Sequence, residues 1–114
     1  LSNLYLDDNQ LTTLPESIGN LSSLSNLYLD DNQLTTLPES IGNLSNLSRL
    51  YVDYNQLTTL PDSLCNTGAL IRVYNNFLCD QYFLDCIEEE YWEPQDQSEC
   101  CPGINGNPDW QQCD

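Results

Sequence analysis

The chain has 114 residues, enough for one domain. Eighteen acidic residues face only Arg49 and Arg72, lysine and histidine are absent, and the formal net charge is -16. Such a surface repels phosphate backbones and anionic lipid heads, which excludes nucleic acid and membrane surfaces as partners. It attracts cations and basic proteins instead.

Composition narrows the setting further. Six cysteines is an even and high count for so short a chain. Without histidine or paired Cys-x-x-Cys motifs, zinc has no ligand set, and disulfides in an oxidising compartment are the expected use. An extracellular or secreted protein, at a cell surface or in a matrix, follows. No apolar run reaches membrane-spanning length, so no membrane span is expected. With neither a signal peptide nor an initiator methionine, the chain reads as processed or as a fragment.

The first half repeats itself. The phrase from Leu4 to Leu21 returns unchanged from Leu27 to Leu44, a shift of 23 residues. A third copy runs from Leu50 through Asn55, Leu57, Leu60 and Pro61 to Leu64. A fourth, two residues shorter, places Ile71, Val73, Asn76 and Leu78 on the same positions. Within each unit, Leu4-x-Leu6 alternates as a strand buried on one side must. Asn9 follows where the chain turns away, and its carboxamide can satisfy backbone groups inside the bend. Pro15 to Gly19 suits a short helical or 3₁₀ segment with proline in its first turn. A lone coil cannot bury its leucines; stacked coils can, at about 2 kcal/mol for each one fully buried.

The pattern L-x-x-L-x-L-x-x-N-x-L with L-P-x-x-I resembles the leucine-rich repeat family. It is similar to the 23-residue class of plant, protist and bacterial proteins. The Ile18-Gly19-Asn20-Leu21-Ser22-Ser23-Leu24 phrase is also similar to secreted plant-type repeats, which carry Gly-x-Ile-Pro where this chain has Thr12-Thr13-Leu14-Pro15. The resemblance covers residues 1–78. It implies an α/β solenoid, a right-handed coil with a short parallel sheet on its concave face, and binding of proteins or peptides there.

Residues 79–114 read as a disulfide-stapled, Cys-rich C-terminal cap, since five of the six cysteines lie there and the repeat spacing is lost. Asn75-Asn76-Phe77-Leu78-Cys79-Asp80 partly resembles the opening of cysteine-rich caps in extracellular leucine-rich repeat proteins. Asn76 stands where proline is usual, and Gln81 where a second cysteine is expected. Asp80 is expected to cap a helix with Tyr82, Phe83, Cys86 and Ile87 on one face, ending before Pro94. Residues 103–108 read as loop. Six cysteines allow fifteen pairings. The last repeat step is 21 residues, and positions one step apart stack about 5 Å apart, within disulfide reach. That spacing favours Cys65–Cys86 and Cys79–Cys100, leaving Cys101–Cys113.

Three sequons, at Asn20, Asn43 and Asn46, make N-linked glycans the expected modification, with Asn20 and Asn43 in register on one flank. The threonine pairs Thr12-Thr13, Thr35-Thr36 and Thr58-Thr59 are weaker O-glycan candidates. On the concave face, one column reads Tyr5, Tyr28, Tyr51, Arg72, and the next Asp7, Asp30, Asp53, Tyr74. A third reads Asp8, Asp31, Tyr54, Asn75. Aromatic rings beside carboxylates suit a basic peptide or a sugar, although the rings can equally serve to stabilise the sheet. Calcium on Asp7, Asp30 and Asp53 is the one metal candidate, against the commoner alternative of a solvated acidic face; no EF-hand spacing is present. No other cofactor is expected.

Catalysis finds no support. Without histidine, Ser/His/Asp and Cys/His arrangements are excluded, and identical carboxylates on an open face lack the differing environments that acid/base pairs need. Two functions remain. One is a recognition module for a protein, peptide or cell-wall glycan. The other is a subunit of a glycosylated extracellular filament or matrix, in which copies of the chain stack head to tail and cover the first coil's leucines.

Overall fold

The computed structural model describes residues 2–79 and 83–98. Strands β1 (Asn3–Tyr5), β2 (Asn26–Tyr28), β3 (Arg49–Tyr51) and β4 (Leu70–Arg72) form one parallel sheet in chain order. Its register is the repeat itself: Leu4 pairs with Leu27, Leu27 with Leu50, and Leu50 with Ile71. Between strands lie 3₁₀ segments, Glu16–Asn20, Glu39–Asn43 and Asp62–Asn66, each entered through an extended proline. The prolines Pro15, Pro38 and Pro61 fix φ near the value a tight turn needs and donate nothing, so the coil bends there without orphaning a backbone N–H.

One apolar spine runs through the coils. Leu27, Leu50 and Ile71 from the strands meet Leu29, Val52 and Val73, then Leu34, Leu57 and Leu78, all essentially inaccessible to water. Glycine sets how closely the 3₁₀ flank can stack. A Cβ on Gly19 would lie 2.5 Å from the Ser40 carbonyl oxygen, and one on Gly42 2.4 Å from the Ser63 Cβ. In the third coil this position is Cys65, whose sulfur joins Cys86.

Asparagines tie coil to coil on the inside of the bend. Asn32 Nδ2 donates to the carbonyls of Leu29 in its own coil and Leu6 in the preceding one, while its Oδ1 accepts from the Leu11 N–H. Asn55 and Asn76 repeat the scheme one coil later each. Serine does the same on the flank: Ser40 Oγ donates to the Glu16 carbonyl at 2.6 Å, and Ser63 Oγ to that of Glu39 at 2.8 Å. Buried backbone groups that a turn would leave unpaired are thus satisfied by side chains at every step.

Beyond Leu78 the structure departs from the expected cap helix. Residues 83–88 are irregular, and the one helix among the described residues, α1, spans only Glu89–Trp92. Asp80 and Tyr82 lie outside the described residues. The physical reason is that residues 91–96 continue the coil pattern at a step of 19. Val73 N–H donates to Tyr91 O and Asn75 N–H to Pro94 O, as earlier coils do at the same positions. Gln95 takes the asparagine's place, its Nε2 donating to Val73 O and Trp92 O and its Oε1 accepting from Leu78 N–H. Ile87 and Trp92 are buried against the spine. The last full coil is therefore covered by a shortened mimic of a further one. Cys79 is also disulfide-bonded. The expected pairings of Cys79 with Cys100 and of Cys101 with Cys113 fall on residues outside those described.

Candidate functional site on the outer face of the sheet

Strand alternation that turns the leucines inward turns the tyrosines outward. Tyr5 and Tyr28 stack with ring centroids 4.8 Å apart and planes 10° apart; Tyr51 meets Tyr28 edge-on at 5.2 Å. Arg72 ends the column with its guanidinium carbon 3.7 Å from the centre of the Tyr51 ring. It also reaches diagonally back to Asp53, with Nε 2.9 Å from one carboxylate oxygen and Nη2 3.3 Å from the other. Burial alone would lower the Arg72 pKa, but the hydrogen bond and charge of Asp53 raise it overall. Asp53 is buried beneath this fork. A stacked, forked guanidinium is the strong form of arginine recognition.

One coil earlier the same tyrosine–aspartate pair has no such partner. Asp30, half-buried, has no cation beside it among the described residues, and its pKa is raised. Burial is the main cause, opposed by a backbone hydrogen bond and reinforced by the charges of Asp53, Asp7 and Asp31. A carboxyl whose folded pKa exceeds its unfolded value favours the folded state most when protonated, and this contribution is lost as pH rises through the folded pKa. Asp30→Asn is therefore expected to raise the melting temperature slightly at neutral pH. The gain should vanish below the ordinary aspartate value of 3.8; melts from acid to neutral pH check this.

The third column sits elsewhere than expected. Asp8, Asp31, Tyr54 and Asn75 all have φ of 57–58°, so the chain has left the strand and bends through a left-handed residue there. Aspartate and asparagine tolerate that conformation; tyrosine seldom adopts it. Tyr54 is 52% exposed and meets Tyr74 edge-on at 5.9 Å. As for calcium, no group of three or more acidic, cysteine or histidine side chains converges on a metal-sized space among the described residues. The Asp53 carboxylate is committed to Arg72.

The sequon asparagines lie on the 3₁₀ flank. Asn20 and Asn43 end the first two 3₁₀ segments and are exposed, as are Ser22 and Ser45. Asn46 is exposed too, but its Nδ2 donates to the Ser22 carbonyl at 2.8 Å. Two features escaped sequence reasoning: the Arg72–Asp53 fork and the Gln95 rung. The 19-residue offsets from Arg72 to Tyr91 and from Asn76 to Gln95 were the available signal for the second.

A family model described as a leucine-rich repeat region matches residues 1–86. The chain belongs to the leucine-rich repeat family. Among solved structures, this leucine-rich repeat chain is similar to a leucine-rich repeat protein of Leptospira interrogans at 40% identity and a TM-score of 0.65. That match covers 69% of this chain and 21% of the other. It is likewise similar to InlP of Listeria monocytogenes, at 34% identity and a TM-score of 0.66, covering 77% of this chain and 25% of that one. The repeats here thus span about a fifth to a quarter of the length of those proteins. Among curated proteins none matches. Proteins of this family generally act as interaction modules rather than catalysts. No helix among the described residues is long and apolar enough to cross a membrane.

Proposed function

We propose that these repeats form the recognition segment of an extracellular, N-glycosylated, non-catalytic protein, and that the outer face of the sheet binds a basic segment of a partner protein. The observation that carries this reading is Arg72, an arginine held on a tyrosine face by an aspartate fork. The same face also presents the exposed Tyr5 ring, the tyrosine column behind it and the Asp7 and Asp30 carboxylates, and a net charge of -16 draws basic partners toward it. Sugars at Asn20 and Asn43 would stand on the 3₁₀ flank and leave this face clear.

Binding to immobilised peptides that differ only in carrying arginine, lysine or glutamate tests the reading. Arginine peptides should bind best, lose affinity with added salt, and lose about tenfold in the Tyr28→Ala and Asp30→Asn variants. Equal binding of glutamate peptides, or indifference to both variants, refutes it. Release of mass from the native glycoprotein by peptide N-glycosidase checks the sequons.

A further inference from the structure

Beside the sheet, on the side where the chain bends through its left-handed residues, lies a second and chemically different feature. An open groove of about 500 Å³ runs across the coils, bordered by Asp31, Gln33, Tyr54, Gln56, Asn75 and Phe77. Its floor is the asparagine ladder, whose amides are already spent on backbone carbonyls. The rim is not spent: among the described residues, no hydrogen bond engages the side chains of Asp31, Gln33, Gln56 or Asn75.

Two departures from the repeat meet here. The first two coils carry aspartate at the left-handed position, where a short polar side chain is tolerated; the third carries Tyr54 at φ 57°. A bulky residue in that conformation is a conformational cost, and Tyr54 does not offset it by burial. The next column reads Gln10, Gln33, Gln56, then Phe77. The near-identical coils therefore put aromatic rings in one place along the groove, next to a row of amides.

We infer that this groove binds a neutral oligosaccharide, with the Tyr54 ring as the stacking platform and Gln33, Gln56, Asp31 and Asn75 pairing with sugar hydroxyls. A pyranose offers one apolar face of C–H groups and a rim of hydroxyls that both donate and accept. An exposed tyrosine beside amides and a carboxylate offers the matching set. The coil step of about 4.8 Å spaces Gln33 and Gln56 on the scale of a single sugar unit. A peptide fits less well, because this groove is lined mainly by neutral amides, with neither a pocket for an apolar anchor nor a carboxylate pair for a basic one. Anionic sugars are disfavoured by Asp31 and the chain's overall charge. The inference does not rest on the sheet-face reading, since Tyr28 and Asp30 take no part in it.

The test uses the full chain, labelled for NMR and titrated with neutral hexasaccharides of glucose, xylose, mannose and N-acetylglucosamine, with a sulfated hexasaccharide as the anionic control. At least one neutral series should saturate and shift the Tyr54 ring and the Gln33 and Gln56 side-chain amides. Tyr54→Asp restores the residue of the first two coils, so it should melt no lower than the parent chain. It should weaken binding by at least about tenfold, as should Gln56→Ala, whereas Tyr54→Trp should retain it. No saturation by any neutral sugar, equal binding of the sulfated one, or full binding by a folded Tyr54→Asp variant would each overturn the proposal.

Discussion

Asn55→Ala is expected to remove about 2–4 kcal/mol from the stability of the solenoid, a large part of what a domain of this size possesses. Asn55 is the central rung of the ladder. Its Nδ2 donates to the carbonyls of Leu29 at 3.0 Å, Val52 at 2.9 Å and Asp53 at 3.3 Å, and its Oδ1 accepts from the Leu34 N–H at 3.0 Å. Truncation orphans the buried Leu34 N–H, whose acceptor is Asn55 Oδ1, and cuts the ties to Leu29 and Val52, whose carbonyls keep only their bonds from Asn32 and Asn76. Asn55→Asp should be nearly as damaging, because it buries a carboxylate against carbonyl oxygens that repel it. Asn9 is the internal control: it is exposed, and its Nδ2 donates only to Leu6 and Asp7 of its own coil. Asn9→Ala should cost about 1 kcal/mol. Urea unfolding followed by circular dichroism measures both. If the two variants proved equally stable, pairing across the coils would not be what holds them together.

This asymmetry explains which parts of the molecule were legible in the sequence. A strict 23-residue shift fixes the register of the first three strands and a 21-residue step that of β4, because a one-residue slip would turn Leu27 or Leu50 to water. The asparagine was legible as a bend residue for the same reason: a turn beside a buried strand orphans backbone groups, and few side chains can both donate and accept there. Gly19 and Gly42 were visible as repeats, but their purpose, contact with Ser40 and Ser63, needed the stacked coils. The candidate site was harder to read. Columns were taken straight along the solenoid, whereas Arg72 has the length to reach diagonally into the neighbouring column and bury Asp53 beneath it. Similarly, strict alternation carried one residue too far placed Asp8, Asp31 and Tyr54 on the sheet face, when the chain had already turned. The cap obscured its repeat by using glutamine for asparagine at a step of 19, against 23 and 21 before it.

The second large effect concerns that cap. Replacing Cys65 and Cys86 together by serine should cost about 3 kcal/mol, the loop-closure contribution expected for a cross-link over 21 residues. The melting point should fall by about 10–20 °C. The loss should be local first. In a linear array of coils, stability is a sum of neighbouring contacts, and the element held by the fewest of them opens earliest. Helix α1 packs on β4 and the Gln95 rung bonds to Val73 and Leu78, while residues 83–88, which have no regular structure, are tied back to the third coil's flank through Cys86 and Cys65. Amide exchange in the double variant should therefore accelerate at Val73, Asn75 and Leu78, whose N–H groups donate to Tyr91, Pro94 and Gln95. Leu29 and Gln56, bonded between central coils, should change much less. Uniform acceleration along the chain would mean that the coils and cap unfold as one unit; an unchanged melting point would mean that burial of Trp92 alone holds the cap. Either outcome would also bear on the apolar spine, because an opened cap exposes Ile71, Val73 and Leu78, the surface that the shortened coil at 91–96 covers.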